Sequence, residues 1–191
     1  MKMKLIPTSR LALLCTAVCA TMFAFSDNAR ALTFGDGNDL GQVLFGIPSG
    51  DADRLSYVNH LIGMALNSTD TFNGQTFNRS GADPAGGNYP PATLTGHVNG
   101  TGTSIDLGAG GTYLYLFAKY DGPNAGSEVW YVGNLSGIIT IPAFGLVGQN
   151  YGLSGWTLFG SAGSVPDGGT TAMLLGMAFG ALGMARRFLQ S

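Results

Sequence analysis

Uncharged, apolar-rich residues run together near both ends of the chain and are patterned between them. Leu11 to Phe25 is the first run, and Ala172 to Ala185 is the second. Between these, Leu55, Val58, Leu61, Ile62, Ala65 and Leu66 recur at helical spacing, which predicts one amphipathic helix over Asp51 to Asn67. Ser49 or Asp51 can cap its start, and Asn67 before Ser68 can stop it. His60 lies beside the apolar stripe and reads as a boundary residue. Downstream, Ala92 to Val98, Thr103 to Leu107, Thr112 to Lys119, Glu128 to Val132, Gly137 to Ile141 and Tyr151 to Phe159 are rich in Thr, Val, Ile, Tyr, Trp and Leu. Asn99-Gly100, Gly108 to Gly111, Asp121-Gly122-Pro123-Asn124 and Asn134 separate them as turns. In Thr112 to Lys119 the alternation sends Tyr113, Tyr115 and Phe117 to one side and Leu114, Leu116 and Ala118 to the other, so both faces should be covered. Short strands at this spacing predict a mostly β fold: an antiparallel, jelly-roll-like β-sandwich with one short amphipathic helix.

The two end runs read as targeting segments. Lys2, Lys4 and Arg10 precede the first, whose length suits the apolar part of a secretory signal better than a membrane span. Ala29 and Ala31 then supply the small residues a signal peptidase requires, which predicts cleavage after Ala31. Cys15 and Cys19 follow Leu14 and Val18 where a lipoprotein signal needs small residues, and both leave with the signal. At the other end, Val165-Pro166-Asp167-Gly168-Gly169 is a polar breaker. From Gly168 to Ala185 there are 18 uncharged residues, enough at the lower limit for a transmembrane helix. Arg186 and Arg187 close it and should stay cytoplasmic, leaving the body outside. Gly176 and Gly180 have the spacing of a helix-packing motif, a weak signal in so glycine-rich a run.

Breaker, short apolar helix, arginine pair and chain end together resemble the PEP-CTERM class of sorting signals, in the variant whose breaker reads Val-Pro-Asp-Ser-Gly. Val165, Pro166, Asp167 and Gly169 match it, and Gly168 stands at the serine. The resemblance implies a Gram-negative cell that makes extracellular polysaccharide. It also implies removal of the tail by an exosortase, an integral membrane enzyme that keeps the catalytic residues to itself. The stretches Tyr113 to Asn124, Val129 to Val132 and Tyr151 to Phe159 are likewise similar to bodies sorted in this way, which implies a fold and a location but no activity.

The chain has 191 residues, with Lys+Arg 9 and Asp+Glu 11, a charged fraction too low for charge-driven disorder. It divides into a signal peptide (1–31), an exported domain (32–164) and a sorting segment (165–191). The domain carries nine acidic residues (Asp36, Asp39, Asp51, Asp53, Asp70, Asp83, Asp106, Asp121 and Glu128) against Arg54, Arg79 and Lys119, for a formal charge of −6. Such a balance excludes nucleic acid as a partner held by charge. The domain has no cysteine and therefore no disulfide framework.

Candidate chemistry is sparse. His60 and His97 are the two histidines, and Gly152-Leu153-Ser154-Gly155 lacks the spacing of a nucleophile elbow, so a triad of His97, Asp106 and a serine has little behind it. A hydrolase acting on matrix polymer would need Asp121 and Glu128 facing each other across a cleft. Ca²⁺ is the one cofactor the residues suggest: Asp36, Asn38 and Asp39 crowd one turn, and Asp51 and Asp53 another, although neither follows an EF-hand and turn or cap chemistry explains both. For a glycan, Tyr89 before Pro90 and Tyr120 before Asp121 are the loop aromatics expected to be exposed, whereas Trp130 and Trp156 are expected in the core. The four N-x-S/T sequons at Asn67, Asn78, Asn99 and Asn134 are near chance.

These readings predict a non-enzymatic exported protein. Its partners would be signal peptidase, an exosortase-like membrane protease and extracellular polysaccharide. The precursor would be anchored in the inner membrane and the product placed at the cell surface or in the matrix, with a structural or adhesive role. The alternatives are a lectin-like carbohydrate-binding module and the hydrolase.

Overall fold

The computed structural model describes residues 29–46, 48, 50–121, 126–145 and 151–161. The signal run, the breaker Val165 to Gly169, the expected transmembrane helix, Arg186, Arg187 and the cap candidate Ser49 lie outside them. Among the described residues no helix is long and apolar enough to cross a membrane.

In chain order the elements are β1 (Arg30–Ala31), β2 (Asp39–Leu44), α1 (Asp51–Gly63), β3 (Thr69–Phe72), β4 (Gln75–Arg79), β5 (Ala92–Gly100), β6 (Ser104–Asp106), β7 (Tyr115–Tyr120), β8 (Gly126–Tyr131), β9 (Ile138–Thr140) and β10 (Leu153–Ser161). Seven strands form one sheet in the order β3-β4-β2-β8-β7-β10-β5, and three form a second in the order β1-β9-β6. Every pair is antiparallel except β1 with β9. Among the described residues the fold is thus mostly β, with antiparallel sheets and one helix.

The layers differ from a two-sheet jelly roll. Along β7, Leu116 and Ala118 pack with Ile105 of β6 and Ile139 of β9, beneath the small sheet. Tyr115 and Phe117 pack on the opposite face with Tyr57, Val58 and Leu61 of α1. The order is therefore small sheet, large sheet, helix. The physical reason is that α1 presents an apolar stripe and covers the face a second sheet would otherwise cover. The alternation read from β7 holds from Tyr115 to Ala118 and slips before it, since Leu114 packs on the helix side and Tyr113 on the other.

The helix ends at Gly63, short of Asn67, so Ala65 and Leu66 are exposed rather than on its buried stripe. Gly50 is its N-cap and makes no side-chain cap bond. Asp51 and Asp53 in the first turn complement the helix dipole. His60 is half-buried beside the apolar stripe, its ring stacked on Phe72 with centroids 4.3 Å apart. Arg30 and Ala31, placed by the sequence inside the signal, pair with Ile139 and Thr140. Leu32, the expected first residue of the mature chain, is itself buried and donates its N–H to the Thr140 carbonyl at 2.8 Å.

Candidate functional site

At its free edge the large sheet ends in β5, and α1 is tied to that edge by side chains. Asn59 clamps one residue twice: its amide oxygen accepts from the Ala92 N–H at 2.9 Å, and its Nδ2 donates to the Ala92 carbonyl at 3.2 Å. About two turns back along the helix, Asp51 Oδ2 accepts from Asn99 Nδ2 at 3.0 Å and lies 3.0 Å from His97 Nε2. The other ring nitrogen, His97 Nδ1, is 2.6 Å from the Leu94 carbonyl. Arg54, one helical turn after Asp51, donates from Nη1 to Asp51 Oδ1 (3.2 Å), Asn99 Oδ1 (3.2 Å) and Thr157 Oγ1 (2.7 Å). Thr157 in turn donates to Asn99 Oδ1 at 2.5 Å. The Asn99 hydrogen bond, reinforced by His97 and Arg54, holds the Asp51 carboxyl below its ordinary range, against the opposing effect of partial burial.

This network borders a shallow groove of about 540 Å³ that runs past Gly100, Thr101, Ser154 and Gly155 to Trp156. The indole of Trp156 lies across β5 at Gly100, where an added Cβ would fall 2.2 Å from the ring, and its Nε1 donates to the Gly102 carbonyl at 3.0 Å. Gly100 therefore permits the ring position that closes this end of the groove.

The residues singled out by sequence fall elsewhere. Tyr120 is buried, not exposed: it is 2% accessible, its ring packs on Phe34, and its hydroxyl donates to the Pro142 carbonyl. The cause is that it still belongs to β7 and points under the small sheet rather than into the following loop. Tyr89 is half-buried, edge-on to Tyr131, with Arg79 over its ring at 5.4 Å and its hydroxyl donating to Asp83. Asp121 is exposed and paired with Lys119 at 3.1 Å. Trp130 is in the core as expected, whereas Trp156 is half-buried at the groove.

The acidic turn is occupied by its own chain. Asp36 accepts from the N–H groups of Thr33 and Asn38, both at 2.7 Å. Asn38 donates to Tyr131 O and Asn134 Oδ1 and accepts from Arg30. Asp39 accepts from the Gly35 N–H. Among the described residues no group of three or more His, Cys, Asp or Glu is arranged to hold a metal ion. Asp36, Asn38 and Asp39 serve the turn, while Asp51 serves the helix-to-strand network.

Glu128 belongs with Asp39 rather than with Asp121. It is buried within β8, where desolvation, followed by the charges of Asp39 and Asp36, pushes its carboxyl well above its ordinary range. Asp121, out in solvent, pairs with Lys119, whereas the nearest carboxyl acting on Glu128 is Asp39.

Arg54, Asn99, Thr157 and the exposed side of Trp156 were not legible as a site. Asn99 read as a turn residue and Trp156 as core. No local motif joins residues 46 to 103 positions apart in sequence.

No curated protein and no solved structure matches this chain. A family model described as the VPDSG-CTERM motif matches residues 164–188. Those residues carry a PEP-CTERM-like exosortase sorting signal of the Val-Pro-Asp-Ser-Gly variety.

Proposed function

We propose that this is an exported, non-enzymatic protein that an exosortase-like system places at the cell surface or in a polysaccharide-rich matrix. There it serves as a structural or adhesive component. The observation that carries this reading is the sorting signal at residues 164–188. Signal peptidase removes residues 1–31, the tail holds the precursor in the inner membrane, and processing near Val165 to Gly169 frees or transfers the body. Two features support a non-catalytic body: Glu128 is closed to solvent, and His97 is engaged on both ring nitrogens. The two stacked sheets over one helix suit a sandwich-like module that holds its shape outside the cell without disulfides. Calcium is not required by this reading.

The test is fractionation of cells producing the full chain or its Arg186→Ala/Arg187→Ala variant, with N-terminal sequencing of the surface product. Export and tail loss should be impaired in the variant, and the wild-type product should begin at Leu32. Normal surface delivery of the variant would count against the sorting reading.

A further inference from the structure

We infer that the groove between the N-terminal turn of α1 and the β5 edge is a saccharide-binding site. It takes a pyranose unit against Trp156, with the hydroxyls facing Asn99, Thr101 and Ser154. The inference deepens the matrix reading above and rests on it for the source of the glycan.

Three features of the groove fit a sugar. Its volume, about 540 Å³, falls in the range of small-ligand sites. Gly100 has no side chain to displace the indole, so the ring lies flat against β5 as one wall of the groove. Trp156 is half-buried and pinned through Nε1 to Gly102, which fixes its orientation before any ligand arrives. A pyranose has an apolar C–H face suited to such a ring and a rim of hydroxyls that both donate and accept.

The polar wall is organised in the same sense. Asn99, Thr101 and Ser154 are all exposed. Behind them Arg54 and Asp51 are neutralised by each other, at 3.2 Å, and oriented by Thr157 and His97. A wall built from an amide, hydroxyls and an internally balanced ion pair selects neutral polar groups over a strong anion or cation. Rigid positioning of this wall limits the ordering cost of a weak ligand, as a repeating polymer offers many sites for many copies of the protein.

The experiment is calorimetric titration of the exported protein, isolated from the cells that produce it. The probes are cellohexaose, hexagalacturonate and a partial hydrolysate of those cells' own extracellular polysaccharide. Binding of cellohexaose or the hydrolysate is expected, with a change in tryptophan emission and weaker binding of hexagalacturonate. Trp156→Phe and Thr101→Arg should each weaken it roughly tenfold or more. Thr101→Arg fills the groove from an exposed position, so its effect does not depend on disturbing the core. Absence of binding by protein with a normal melting transition would overturn the site, as would binding that both variants retain. Fractionation of the same cultures separates the two readings. Surface protein without glycan binding sinks the groove alone, and protein held in the cytoplasm or inner membrane sinks the export reading whatever the groove binds.

Discussion

Glu128 on β8 and Asp39 on β2 are neighbouring carboxyls closed off from solvent, with 3% and 4% accessibility, and desolvation followed by the charge of Asp39 pushes Glu128 well above its ordinary range. Two buried carboxylates side by side repel, so the pair holds a proton, and the raised affinity of Glu128 assigns it there. The unfolded chain releases this proton near 4.5, whereas the folded chain keeps it to higher pH. Over that interval the native state binds more protons, so stability falls as pH rises, by up to about 1.4 kcal/mol per unit for one group. Melting temperature should therefore decline from pH 4.5 upward. Glu128→Gln, which keeps the shape and donor of the protonated acid, should flatten the slope and raise stability at pH 8. A wild-type profile that rises over this range would refute the assignment.

Asp51 acts in the other direction. Its carboxyl is stabilised in the charged form by Asn99, His97 and Arg54, so its contribution is present above the unfolded value of 3.8 and lost as pH falls below it. Asp51→Asn should remove a shallow acid-side decline while leaving the decline above pH 4.5 intact. The two variants thus separate the two limbs of the melting profile.

Both the strengths and the gaps of the sequence reading have local causes. The six strands from Ala92 onward announce themselves by β-branched and aromatic residues between turn residues. β2 does not, because Gly41 interrupts it where the strand bulges between Asp39 and Gly41. β3 is short and its side chains are mostly exposed, so no apolar alternation marks it. A stronger signal was present in Asn73-Gly74, both at positive φ between β3 and β4, which is hairpin chemistry. The site was harder to read, since Asp51 meets Asn99 across 48 positions and only the packing of α1 on the sheet brings them together.

Gly41 has a φ of 133°, and a Cβ there would fall 2.1 Å from the Asn78 backbone oxygen. Backbone cannot swing aside as a flexible side chain can. Gly41→Ala should cost about 3 kcal/mol or more, combining strain with the forced separation of β2 from β4. Denaturant unfolding measures this. An unchanged midpoint would mean that β2 and β4 do not pair in this register.

Gly100→Ala tests the groove's geometry without any ligand. The added methyl group would sit 2.2 Å from the Trp156 ring, so either the indole lifts or β5 shifts from β10. Lifting the ring breaks the 3.0 Å bond from Nε1 to Gly102 and exposes the indole to water. The expected cost is about 1–3 kcal/mol, in the range of other overpacking changes. Tryptophan emission should move to longer wavelength before any unfolding, because Trp130 is fully buried elsewhere and Trp156 accounts for the change. If emission and melting temperature both stay fixed, Trp156 does not lie across Gly100. A strand shift without ring exposure would instead lower the melting temperature and leave the emission where it was. Paired measurement of the two quantities therefore distinguishes movement of the indole from movement of the edge strand.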